Sequence, residues 1–101
     1  MAEIQIPYSP DMKAAAINGS KICTSRNRKY GKVGDTFILD GQKFRLLIID
    51  KFPLEMVATL FFREEGFNCP NAFKDKWKAL HLRRGWEPER EVFVHFFRKV
   101  E

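Results

Sequence analysis

A lysine, three hydroxyls and an arginine fall within the nine residues Asn18 to Arg26, Asn-Gly-Ser-Lys-Ile-Cys-Thr-Ser-Arg. Ala14-Ala15-Ala16-Ile17 ahead of them reads as the end of a short helix. Asn18-Gly19 can supply the left-handed conformation that closes such a helix. Ile22-Cys23-Thr24 behind is β-branched and compact, as in a buried strand. Lys21 thus sits at a bend with Thr24 three residues on. In a regular strand, residues three apart point to opposite faces, so cooperation between amine and hydroxyl needs the chain to curl at Gly19-Ser20. The plain alternative is an ordinary turn with a solvated lysine. Next comes a basic loop, Arg28-Lys29-Tyr30-Gly31-Lys32, whose cations suit phosphate and whose tyrosine suits stacking on a base or on its own neighbours.

The charge distribution supports a polyanionic partner. The net charge is +5, yet Met12 to Arg45 alone holds eight cations against two acids, and the rest of the chain is close to neutral. A solvated face that serves only solubility is the competing explanation. With 101 residues, 45% of them apolar, and ten phenylalanines, the chain is read as one domain spanning 1–101 with a single core. No apolar run approaches the ~18 residues of a membrane span, and no signal peptide is evident. Cys23 and Cys69 form neither a disulfide framework nor a metal-ligand pattern, which suggests a reducing, cytoplasmic setting. Cys23, between Ile22 and Thr24, reads as buried and inert, and His95 as a satisfied core residue. No metal site, phosphate loop or dinucleotide fingerprint is present in the sequence, so no cofactor is expected.

The elements that must position these residues follow from local pattern. Glu3–Ile6 alternates as a short strand ended by Pro7. Ser9-Pro10-Asp11 starts a helix that runs to Ile17. Thr36–Leu39 and Gln42–Phe52 are strands joined at Asp40-Gly41. Pro53 opens a second helix with an apolar face of Leu54, Val57 and Phe61, flanked by Met56 and Leu60. Its last turn is expected to carry Glu64 and Glu65, where two acids oppose the helix dipole at roughly 0.3–1 kcal/mol each. A nearby cation would offset that cost. A third helix spans Asn71 to Arg84 with Phe73, Trp77 and Leu80 buried. Glu91 to Val100 is the last strand, apolar on both faces. The economical arrangement is α+β: a small mixed β-barrel with about three helices on one side, and Phe44, Leu46, Ile48, Val94 and Phe96 in its core.

Gly19-Ser20-Lys21-Ile22-Cys23-Thr24-Ser25-Arg26 resembles the Gly-x-Lys-x-x-Thr-x-Arg signature of ASCH domains, within the PUA-like superfamily. The likeness continues through Lys32-Val33-Gly34-Asp35 and Glu65-Gly66-Phe67 to the Phe73 and Trp77 helix. The resemblance implies a barrel flanked by helices and a cleft for RNA or nucleobase ligands. Small bacterial ASCH members are amidohydrolases that deacetylate acetylated cytidine with a signature lysine and threonine and a downstream glutamate. Lys21 and Thr24 occupy the signature positions, and Glu65 matches the glutamate, with Glu64 its competitor. The segment Gly66-Phe67-Asn68-Cys69-Pro70 differs from those enzymes.

On that assignment Thr24 is the nucleophile, Lys21 its base and Glu65 an orienting or acid group. A hydroxyl needs a base beside it, and lysine serves when desolvation or a neighbouring cation such as Arg26 favours its neutral form. Three functions stay open. The first is RNA or nucleoside binding, using Ser20, Arg26, Arg28, Lys29, Tyr30, Lys32 and Glu64. The second is hydrolysis of an acylated nucleoside, so whether the chain is an enzyme is undecided. The third is protein interaction with a vestigial cleft. The basic loop places binding first, because a free nucleoside needs no extended positive surface.

Overall fold

The computed structural model describes residues 1–100. Its backbone runs α1 (Pro10–Asn18), β1 (Cys23–Arg26), β2 (Thr36–Leu39), β3 (Gln42–Pro53), α2 (Leu54–Leu60), α3 (Pro70–Leu80) and β4 (Glu91–Lys99). The four strands make one antiparallel sheet in the order β1-β4-β3-β2, curled into a half-barrel. This is the α+β architecture that the element order implies, and it is consistent with the PUA-like fold that the resemblance implies. The expected first strand at Glu3–Ile6 shrinks to a single parallel bridge, Glu3 to Thr36. Two backbone bonds make that bridge, Ile4 N–H to the Thr36 carbonyl at 2.7 Å and Thr36 N–H to the Ala2 carbonyl at 2.9 Å, and Asp35 adds to them. Its carboxylate accepts the Ala2 and Lys32 N–H groups, both at 2.9 Å, and these bonds hold its pKa below the ordinary carboxylate value.

Two cores lie on opposite faces of the sheet. Leu54, Val57 and Ala58 of α2 and Phe73 and Trp77 of α3 pack on Cys23, Val92 and Val94. On the other face Ala16 of α1 and Ile6 pack on Phe37, Leu39, Phe44, Leu46 and Phe97. The helices therefore flank both faces rather than one. Phe37, Phe44 and Phe97 meet at centroid separations of 5.4–5.6 Å, which welds β2, β3 and β4 together.

Ile48 is the main departure from the expected core, at 55% exposure. Leu46 pairs with Phe97, whereas Ile48 pairs with Phe96, so the register slips at Leu47. One extra residue inverts the side-chain parity of everything after it. Leu46 consequently shares a face with Ile49, which packs against the second core, and Ile48 turns outward. Phe96 is half-buried against the first core, edge-on to Phe61 at 5.6 Å. Simple alternation carried no sign of this bulge.

The second and third helices are shorter than their patterns suggest. α2 stops at Leu60, leaving Glu64 and Glu65 in the following turns, outside any helix end. The supposed dipole conflict therefore does not exist. α3 ends at Leu80, which is 58% exposed, and does not reach Arg84. Leu60, at 60% exposure, is likewise outside the core.

Parity makes a prediction. Leu46→Ala should lower the unfolding free energy by about 2–5 kcal/mol in urea titrations, as for other fully buried leucines. Ile48→Ala should change it by less than about 1 kcal/mol. Equal losses at the two sites would contradict the bulge.

Candidate functional site

Gly19 stops α1 with φ 91° and its N–H bonded to the Ala16 carbonyl. The chain then turns back, and the Lys21 N–H donates to the Ala15 carbonyl at 3.1 Å. β1 begins only at Cys23 and extends through Ser25 and Arg26, so Lys21 lies before the strand. The strict opposite-face geometry of a strand does not apply to it. The turn after α2 docks on this bend: the Glu64 carbonyl accepts the N–H groups of Ile22 (2.7 Å) and Cys23 (3.1 Å). Gly66 permits the approach. It has φ 98°, and a Cβ there would stand 3.2 Å from the Lys21 Cβ.

This docking buries Glu65 against Lys21, both at 3% exposure. Lys21 Nζ donates to Glu65 Oε1 at 2.7 Å and to the Glu65 carbonyl at 3.1 Å. The other carboxylate oxygen accepts from Ser25 Oγ at 2.5 Å. Glu65 lines the cleft, and Glu64 does not. Two of the three lysine protons are taken by one residue, which leaves one for a ligand.

Thr24 lines the same cleft, but its hydroxyl has a different partner. Thr24 Oγ1 accepts from Arg26 Nε at 3.1 Å, and among the described residues no hydrogen bond joins it to Lys21 or Glu65. The Arg26 guanidinium in turn lies over the rings of Tyr8 and Tyr30, at 5.1 and 5.7 Å. The Tyr8 hydroxyl is buried without a regular hydrogen bond, and burial pushes the phenol pKa well above its ordinary value.

The cleft has a volume of about 620 Å³. Lys21, Thr24, Ser25 and Glu65 form one polar end of it. Tyr8 and Tyr30 from the loops, and Phe67, Phe73, Trp77 and His81 from the α3 side, supply aromatic walls. The Trp77 and His81 rings stack at 3.9 Å. Asp11 of α1 and Lys76 of α3 tie the two helices with contacts of 2.9 and 3.0 Å, and this bond lowers the Asp11 pKa to about 2.

The structure separates the members of the basic loop. Arg28 and Tyr30 line the cleft, with the Arg28 guanidinium 4.6 Å from the tyrosine centroid. Lys29 and Lys32 are exposed and do not line it, nor do Ser20 or Glu64. Ser20 Oγ instead donates to the Ala15 carbonyl at 3.3 Å. Sequence reasoning missed Tyr8, Ser25, Lys76 and the cleft-facing role of Phe73 and Trp77. The last two carried a signal as an apolar stripe, which reads first as core, and they serve both purposes. Tyr8 carried none.

His95 ties the loop to the sheet. Its ring is fully buried, and Nε2 accepts the Tyr30 N–H at 2.9 Å. Nδ1 lies 3.2 and 3.1 Å from the Thr24 and Phe93 carbonyls, so it carries the proton and the imidazole is neutral. Burial holds its pKa below 6.5. Cys23 is fully buried and unpaired, and burial pushes its thiol pKa up, which removes it as a nucleophile.

A lowered histidine pKa fixes the sign of a pH effect. Above pH 6.5 both folded and unfolded states hold neutral imidazole, and the stability is fully present. As pH falls below 6.5 the unfolded chain takes up the proton first, and stability is lost by at most about 1.4 kcal/mol per pH unit from this group. Urea midpoints at pH 7.5 and 5.5 should therefore diverge in the native protein and diverge less in His95→Gln. An identical acid dependence in the two would contradict the buried neutral imidazole.

No family model matches the chain, and no curated protein matches its sequence. Solved structures do. The chain is similar to an ASCH domain from Lactobacillus crispatus JV V101, with TM-score 0.68 and 11% identity over 97% of this chain and 78% of that one. It is similar to protein EF3133 from Enterococcus faecalis V583, of the DUF984 family, with TM-score 0.65 and 16% identity over 98% and 78%. Hypothetical protein PH0355 matches with TM-score 0.70 and 14% identity over 98% and 96%. At these identities the likeness is one of backbone, and it establishes that the chain has an ASCH-like fold.

Proposed function

We propose that this chain binds a nucleobase or nucleoside, free or within single-stranded RNA, in the cleft between α1, β1 and α3. One observation carries this reading: an aromatic-walled cleft converges on Lys21, Thr24 and Glu65. A planar heterocycle fits between such walls, and a few fixed polar groups can read its edge. Thr24 Oγ1 accepts from a guanidinium, so its own proton remains available to a ligand. Lys21 offers one further donor. The two free cysteines suit a reducing compartment such as the cytoplasm.

Hydrolysis of an acylated nucleoside is the second reading. It is favoured by the Lys21–Glu65 pair, which lies in the same cleft as Thr24. In this geometry neither Lys21 nor Glu65 is hydrogen-bonded to the Thr24 hydroxyl, and Arg26, which is, acts as a donor. Binding therefore ranks first.

The two readings separate in one experiment. Titrating ribonucleosides should quench the fluorescence of Trp77, which lines the cleft, and Trp77→Phe should remove most of the change. Incubation with acetylated cytidine should release no acetate above the blank. Acetate release abolished by Thr24→Ala or Lys21→Ala would put the hydrolase first. Neither quenching nor release would leave the cleft without a nucleoside role.

A further inference from the structure

We propose that the cleft takes its nucleoside in phosphorylated form, with the phosphate seated by Arg26 and Arg28 beside the Tyr30 ring. The inference rests on the nucleoside reading and adds the ligand's charge and its anchoring residues.

Four cationic side chains line the cleft, Lys21, Arg26, Arg28 and Lys76, against the single carboxylate of Glu65. Lys21 and Lys76 are already paired, with Glu65 and with Asp11. Among the described residues neither Arg26 nor Arg28 has a carboxylate within 4 Å. Both guanidiniums lie over the Tyr30 ring, at 5.7 and 4.6 Å from its centroid. Arg26 is fixed further by Tyr8 and by its bond from Nε to Thr24, so its two terminal nitrogens are left for a ligand.

A fork held in advance on an aromatic face loses little freedom when it closes on a phosphate, and arginine matches phosphate oxygens two at a time. The seat is also anchored from below. The Tyr30 backbone is bonded to buried His95, whose other ring nitrogen meets the carbonyl of Thr24. Thr24 in turn accepts from Arg26. The phosphate seat and the polar end of the cleft are thus held by one continuous set of bonds. Lys29 and Lys32 lie outside it despite their place in the basic loop.

The phosphate can come from a free nucleotide or from an RNA strand, and the test has an arm for each. The affinities of the four ribonucleosides, their 5′-monophosphates and short single-stranded oligoribonucleotides are measured by calorimetry at low salt. At least one monophosphate or oligonucleotide should bind tenfold or more tightly than the corresponding nucleoside. Arg28→Ala should bring that ratio close to one, and Arg28→Lys should recover only part of it because the ammonium lacks the planar fork. Lys43→Ala, the same loss of charge at an exposed strand position, should leave the ratio intact. For the oligonucleotide arm, Arg28→Ala should flatten the log affinity against log salt slope by about 0.7. A gain in the monophosphate arm identifies a nucleotide ligand, and a gain confined to oligonucleotides identifies RNA. Nucleosides that bind with no phosphate gain, or a gain untouched by Arg28→Ala, overturn the seat and leave the nucleoside reading standing. Absence of binding by every probe overturns both.

Discussion

The site depends on a buried ion pair between residues 44 positions apart, Lys21 and Glu65. Taking two charges out of water costs several kcal/mol per ion unless geometry and further hydrogen bonds repay it. Here both conditions are met. The lysine reaches a carboxylate oxygen and the carbonyl of the same residue, and Ser25 satisfies the other carboxylate oxygen. Because either charge alone would be expensive, the bend after α1 and the turn after α2 must close together. Backbone bonds from Ile22 and Cys23 to the Glu64 carbonyl hold the same junction. Gly66 lets the two chains approach closely enough for the pair to form.

The rest of the molecule frames that junction. β1 is an edge strand, so a cleft can open beside it without disturbing the paired interior of the sheet. The half-barrel carries a core on each face, and the cleft opens at the rim, between α1 from one face and α3 from the other. Its aromatic residues belong to both worlds: Phe73 and Trp77 fill the core with one side of their rings and line the cleft with another. His95 performs the corresponding task for the basic loop, because a neutral buried ring accepts from one chain segment and donates to the next.

Much of this arrangement was legible in the sequence, and the failures have physical causes. Gly19 marked the helix stop and Asp40-Gly41 the hairpin, and the family resemblance singled out Lys21, Thr24 and Glu65, which line one cleft. One of the reasons for expecting Lys21 beside Glu65, a helix dipole, fails because α2 ends at Leu60, whereas the bend at Gly19-Ser20 stands. The actual cause of the pairing is burial. The bulge at Leu47 was invisible because alternation over a strand assumes constant register. Arg26 was read as a cation that tunes Lys21, whereas it donates to Thr24 and stacks on two tyrosines. Tyr8 was missed because nothing local announces that a residue in a connecting segment will face a cleft. The basic loop was read as one surface, yet only Arg28 and Tyr30 of its candidate residues reach the site.

A double-mutant cycle on Lys21 and Glu65 tests most directly whether the buried pair organises the structure. Lys21→Met and Glu65→Gln are each made alone and together, and unfolding free energies are measured in urea at pH 7.5. Each single variant should lose about 3–5 kcal/mol, because the partner is left charged, buried and unpaired. The double variant should lose much less than the sum, with a coupling energy of about 2–3 kcal/mol. Additive losses, or single variants as stable as the native chain, would contradict the claim that this pair holds the two segments of the cleft together.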